Sequence, residues 1–348
     1  MKRVVKQVAG IDVAQKELVV SLGRMDEDQE VEIYGFKTFT NTAKGFENLV
    51  TWVEKKSGPE VGVHYVMEAT GVYHEGFAYY LEGQGYALSV VLPNKISNYH
   101  RTLDAKSVTD KTASETIAWF GLGRKLDCWK RPNGVFKQLR QLTRERDQLV
   151  KSKTQAQNQL HAEQTEAEPN KGTVGRLKKR IAFLKQQMQE IEEELGLLVK
   201  GNEQLREAVK RICSLPGIGI LTALTVLGES DGFDLIRNKR QLVSYAGLDV
   251  REKQSGTSVN GKPRISKKGN RYLRKSMHMP ALVAIRNDER FKAIFARLVA
   301  KHGIKMKAVV AVQRKLLEMI YVIYKNSSMY DKDYLTRNQS EEVQSLKN

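Results

Sequence analysis

"VAGIDVAQKELVVSL" (8–22) sets one acid, Asp12, inside an otherwise apolar strand pattern. Val8, Ile11, Val13, Leu18, Val19, Val20 and Leu22 read as two short β segments with a turn near Gln15 and Lys16. A carboxylate there is costly unless a cation or a set of donors meets it. Alone, Asp12 reads as a turn cap, a common use of Asp; other acids joining it would change that reading. Working outward, VEIYGFKTFT (31–40) predicts a third strand. Asn41 and Thr42 lead into a helix, AKGFENLVTWVEKK, with Phe46, Leu49, Val50 and Val53 on one face. VGVHYVME (61–68) is a buried strand closing on Glu68, GVYHEGFAYYLEGQG (71–85) a helix, ALSVVLP (87–93) a strand and SVTDKTASETIAWFGLG (107–123) a helix. The order β-β-β-α-β-α-β-α predicts an α/β layer fold of the ribonuclease H type, with a mixed central sheet, over residues 1–128.

In that topology Asp12, Glu68 and Asp110 converge at one edge of the sheet. Carboxylates brought so close raise one another's pKa, and two divalent cations would turn the repulsion into a site. A set of Asp and Glu without His or Cys suits Mg²⁺, a hard cation that takes oxygen ligands and keeps several waters. Two such ions about 3.5–4 Å apart can activate an attacking oxygen and stabilise a leaving one, which implies phosphoryl transfer on nucleic acid. Singly, each acid has a plainer explanation; Asp110 follows Thr109 at a helix start, where negative charge is favourable anyway.

Composition points the same way. The 348 residues suit two or three domains, and the formal charge of +18 calls for a polyanionic partner. Nucleic acid comes first and an anionic membrane surface second. No apolar run of about 18 residues and no long apolar segment at the start suggest a membrane span or signal peptide, so a cytoplasmic, nucleoid-associated protein is expected. Cys128 and Cys213 are too far apart for a zinc knuckle or disulfide framework and read as buried thiols. The six histidines are scattered without ligand spacing.

Residues 129–204 become charged and helical. Leu177, Ile181, Leu184, Met188, Ile191, Leu195 and Leu198 form a heptad seam. Val135, Leu139, Leu142, Leu149, Ala156 and Leu160 keep the spacing but leave Arg146 and Lys153 at seam positions. With EAEPNKGT (166–173) as the turn, they predict a coiled-coil stalk, either closed on itself or paired with another chain. Residues 205–326 read as a basic, Gly-punctuated helical domain, and 327–348 as a loose tail. Within the helical domain, ICSLPGIGILTALTVLGE (212–229) resembles a helix-hairpin-helix element, in which Gly217 and Gly219 would let the backbone approach a phosphate. A tight turn explains Pro-Gly-x-Gly equally well. From Arg251 to Lys275 nine Lys or Arg face one acid, Glu252. With Gly256, Gly261 and Gly269 this stretch reads as a loop along a nucleic-acid backbone, contacted by Lys262, Arg264, Lys267, Lys268, Arg271 and Arg274. Ser255 sits in it; such a serine is usually a turn former, and as a nucleophile it would need activation and cations for its phosphate.

Assembled, "GIDVAQKEL", "VMEATGVYH", "VTDKTASETIA", "SLPGIGILTALTVLGE", "YAGLDVREKQSG" and "PRISKKGNRYLR" resemble, in this order, the bridge-RNA-guided transposases of the insertion-sequence family one hundred and ten. The resemblance implies a RuvC-like Asp-Glu-Asp-Asp domain followed by a transposase domain with a catalytic serine, which maps onto Ser255. It implies exchange of donor and target DNA strands through Mg²⁺ and a serine joined to a 5′ phosphate, direction by a structured noncoding RNA, and a homodimer or homotetramer. One position departs from the pattern: where the family places its fourth acid, three residues after Asp110, stands Ala113. Either three acids suffice in this branch, or the acid has been replaced. Two other readings compete: a junction resolvase using metal-activated water, and a nucleic-acid-binding protein with an inactive nuclease fold.

Overall fold

The computed structural model describes residues 2–103, 109–234, 236–255 and 259–331. The chain divides into two compact units, Met1–Arg131 and Pro132–Asn348.

The first unit runs β1 (Val4–Val13), β2 (Glu17–Asp26), β3 (Val31–Thr40), α1 (Ala43–Lys56), β4 (Val63–Glu68), α2 (Glu75–Gly83), β5 (Leu88–Val91), α3 (Pro93–His100) and α4 (Asp110–Leu122). Its sheet has the order β3-β2-β1-β4-β5. The pairs β1–β2 and β2–β3 are antiparallel, and β1–β4 and β4–β5 are parallel. This is the mixed sheet of an RNase H-like α/β fold. Central β1 is buried on both faces, so it reads as a nearly continuous apolar run. Ala9, Ile11 and Val13 join Leu49, Val53, Phe77 and Leu81 on one side. Val8 joins Val66, Ile117 and Ala118 on the other.

Contacts along α4 fix its course. A Cβ on Gly10 would stand 2.3 Å from Ala118 N and 2.4 Å from Ser114 O, and one on Gly121 would stand 2.9 Å from Val8 Cγ1. Glycine is what lets strand and helix backbones approach this closely. Because Gly121 meets Val8 while Ser114 meets Gly10, α4 runs antiparallel to β1 and its N-terminus points toward Asp12. The Ser21 and Ser114 hydroxyls, 2.7 Å apart, satisfy each other in the buried contact.

Two elements differ from expectation here. The helix read from residue 71 begins at Glu75, because Gly71 has φ +54° and Tyr73 N–H bonds to Thr70 O in a turn. Helix α3 was not anticipated; it starts on Pro93 and buries only Ile96, leaving no apolar periodicity to read. Of the segment 107–123, residues 107 and 108 lie outside the described residues.

The second unit comprises α5 (Gly134–Thr165), α6 (Lys171–Gly201), α7 (Glu203–Ile212), α8 (Ile220–Ser230), α9 (Lys239–Tyr245), β6 (Val250–Ser255), β7 (Val259–Ile265), α10 (Arg271–Ser276), α11 (His278–Asn287), α12 (Glu289–His302) and α13 (Lys305–Asn326). Asn133, Asn170 and Asn202 cap α5, α6 and α7. Helices α5 and α6 pack on each other, and Leu139, Leu142, Ile191 and Leu195 share one core with α7, α8 and α13. Arg146, an odd seam residue by sequence, pairs across the hairpin with Glu192 at 2.7 Å.

Two expectations are corrected. The basic stretch is not a loop throughout: β6 (Val250–Ser255) and β7 (Val259–Ile265) pair antiparallel, with Ser255 opposite Val259. The cysteines are not both buried, since Cys128 is exposed and Cys213 half-buried. No described helix is long and apolar enough to cross a membrane. Residues 332–348 of the expected tail lie outside the described residues.

Candidate active site

Asp12 is the penultimate residue of β1 and Glu68 the last of β4. The parallel register pairs Ile11 with Met67, so the next step along both strands sets Asp12 beside Glu68, at a strand spacing of about 4.8 Å. Side chains alternate along a strand. Asp12 therefore shares the face of Val8 and Gly10, and Glu68 that of Val66, which is the face covered by α4. Asp110 opens α4 one turn before Ser114. Thr109 caps that helix end, its Oγ1 accepting from Thr112 N at 3.2 Å, so the positive end of the helix dipole also points at the acids.

The electrostatics record the convergence. Burial pushes the Asp12 carboxyl up, and the charge of Asp110 pushes it further. Burial likewise raises Glu68, with Asp12 adding to it. Asp12 thus feels the charge of Asp110 and Glu68 that of Asp12, the situation a divalent cation relieves. The donor set is all oxygen and fits a hard cation such as Mg²⁺. Among the described residues no three His, Cys, Asp or Glu side chains are already drawn into a metal-binding cluster. Ala113, at i+3 from Asp110, is half-buried on the same flank of α4.

Asn41, read from sequence only as a helix lead-in, buttresses this end of the sheet. Its Nδ2 donates to Ala14 O at 2.9 Å and Tyr73 O at 3.2 Å, tying the loop after β1 to the loop after β4. No motif marks it.

In the second unit, Arg264, Lys267, Lys268 and Arg271 are exposed and able to meet phosphates. The backbones of Ser255 and Lys262 are placed in the hairpin, but their side chains, like Gly256, lie outside the described part. Arg274 is half-buried, and its Nη1 donates to Ala246 O at 2.8 Å, anchoring the side chain at the end of α9 with its other N–H groups left over. Gly217 has φ +80°, and a Cβ there would stand 2.5 Å from Pro280 O; the close approach is to α11. Gly219 caps α8 with open space at its Cβ position. Residues missed by sequence reasoning are Glu229, Arg144 and Asn270, which join one another from distant segments.

Comparison with known proteins adds to this geometry. Residues 9–167 match the DEDD transposase domain of the IS110 type, and residues 209–296 match the Transposase IS116/IS110/IS902 family. The chain belongs to the IS110 transposase family. A pilin gene-inverting protein of Moraxella lacunata is 26% identical over 303 residues, covering 85% of this chain and 90% of that protein. The transposase for insertion sequence element IS1111A of Coxiella burnetii is 25% identical over 362 residues, covering 93% and 91%. The structure of T. thermophilus RuvC with a Holliday junction substrate aligns with a TM-score of 0.26 at 9% identity, over 32% of this chain and 90% of that one. In this IS110-family chain the DEDD match holds Asp12, Glu68 and Asp110, and the second match holds Ser255 and the basic segment.

Proposed function

We propose that this transposase exchanges DNA strands by serine transesterification. The observation that carries the reading is that Asp12 and Glu68 sit side by side at the C-terminal ends of the neighbouring strands β1 and β4, with Asp110, at the start of α4, near enough to act on Asp12. These residues would hold Mg²⁺, which when bound supplies Lewis-acid stabilisation of charge on phosphate oxygens. The Ser255 hydroxyl attacks a DNA phosphorus and the 3′ oxygen leaves, so that serine becomes an ester of the 5′ phosphate. Attack by the 3′ hydroxyl of the partner strand frees the serine and joins the exchanged strands. Arg264, Lys267, Lys268 and Arg271 offset phosphate charge along the way. A structured guide RNA supplies sequence choice, in keeping with a net charge of +18 and a protein that reads backbone and shape. The assembly contains at least two chains.

The deciding experiment incubates protein, co-purified RNA and labelled donor and target DNA with Mg²⁺, then denatures and looks for DNA covalently attached to protein. A labelled adduct is expected, absent from Ser255→Ala and from samples with chelator. Strand products without any adduct would favour a resolvase using water as the nucleophile. RNA binding with neither adduct nor products, even for Ala113→Asp, would favour a binding protein on an inactive nuclease fold.

A further inference from the structure

Glu229, near the end of α8, is only 2% exposed, and a buried carboxylate is expensive unless its oxygens are met. Both are. Oε1 accepts from Arg144 Nε at 2.6 Å, and Oε2 accepts from Arg144 Nη2 at 2.7 Å and from Asn270 Nδ2 at 2.6 Å. Its backbone carbonyl accepts from the Tyr245 hydroxyl at 3.1 Å. The Arg144 guanidinium lies 4.7 Å from the Tyr272 ring centroid. One side chain therefore ties α5, α8 and the start of α10 together. The preceding Gly228 is where α8 and α5 touch, since a Cβ there would stand 2.7 Å from Arg140 N.

Asn270 is the link between this cluster and the basic hairpin. Its Oδ1 caps α10, accepting from Tyr272 N at 2.9 Å and Leu273 N at 3.2 Å. Its own N–H donates to Tyr245 O at 2.6 Å. Four residues earlier, Ser266 closes the base of the hairpin, its N–H donating to Asp249 O at 2.8 Å and its Oγ to Asp249 Oδ1 at 2.5 Å. Between them Lys267 N–H donates to Gly247 O at 3.1 Å, and Gly269, at φ +145°, passes so close to Tyr245 that a Cβ would stand 2.4 Å from its carbonyl oxygen. The strap 266–270 is short and bonded at nearly every residue. Where Glu229 holds Asn270, it also fixes the root of β6 and β7 and the exposed cations Lys267, Lys268 and Arg271.

We propose that Glu229, through Arg144 and Asn270, is a positioning residue for strand exchange, setting the hairpin that carries Ser255 against the helical core. This rests on Ser255 being the nucleophile. The test exploits the polarity of the clamp. Glu229→Gln turns an amide donor toward a donor of Arg144 or Asn270, whereas Asn270→Asp keeps a good cap for α10 but sets two carboxylates against each other. The double variant restores one donor facing one acceptor and keeps one negative charge beside Arg144.

In each single variant turnover at saturating DNA is expected to fall on the order of 100-fold, the scale of a misplacement of about 1 Å, with a much smaller rise in KM as Lys267, Lys268 and Arg271 shift with the hairpin. The double variant should regain most of that loss. Backbone amide exchange over residues 250–270 should quicken in the single variants and slow again in the double, while residues 1–131 stay unchanged. Wild-type exchange rates over 250–270 in both single variants, or a double variant no better than either, would overturn the proposal. Because amide exchange is read without any reaction, the clamp is judged even if wild-type protein forms no DNA adduct, an outcome that would sink the Ser255 reading by itself.

Discussion

Asp12 and Glu68 stand where ionisation is disfavoured, and this makes a measurable demand on the fold. Both carboxyls titrate above their ordinary values because of burial and neighbouring charge, so without a divalent cation the folded chain holds these protons more tightly than the unfolded chain does. Their contribution to stability is complete below the ordinary carboxylate range and is lost as pH rises through the raised values. Asp12→Asn is therefore expected to raise the melting temperature at neutral pH in chelator, and the advantage should vanish when Mg²⁺ saturates the wild-type protein. A thermal melt series with and without the ion checks both parts. At residue 113 the same crowding works in the other direction: Ala113→Asp adds an oxygen donor beside Asp110 and should speed strand exchange at least about ten-fold in Mg²⁺. An unchanged rate would mean that three acids suffice.

Among the elements, α4 matters most because it carries Asp110 across the sheet at backbone contact distance. Gly10→Ala cannot be absorbed by a rotamer change, since the atoms it would meet belong to the backbone of α4. A loss of about 1–3 kcal/mol is expected, of the size seen for overpacking, with weaker Mg²⁺ binding as Asp110 moves off; denaturant titration and calorimetry measure the two effects. The same element shows what sequence can disclose. Strands β1 to β5 and helix α1 were legible because burying one or both faces imposes an apolar pattern, as at Phe46, Leu49, Val50 and Val53. Helix α3 buries one residue and left no such pattern. The acids stood out because a charge amid apolar strand residues is conspicuous, whereas Glu229 and Arg144, 85 residues apart, are each ordinary in their own helices and meet only through the tertiary fold.

At the scale of the whole molecule, the charge of +18 should make nucleic-acid affinity fall steeply with salt, and individual cations can be told apart by how much of that slope they supply. Lys268→Ala, removing an exposed cation, is expected to reduce the slope of log K against log salt by about 0.9 with little effect on melting. Arg274→Ala should instead lower the melting temperature, because its guanidinium is bonded to the Ala246 carbonyl; filter binding across a salt series and a melt separate the two.

The acids all belong to Met1–Arg131, and Ser255 to the other unit. On the proposed chemistry, neither half can break a phosphodiester unaided. Inactivating either unit is therefore expected to abolish scission while leaving the fold and ligands of the other intact.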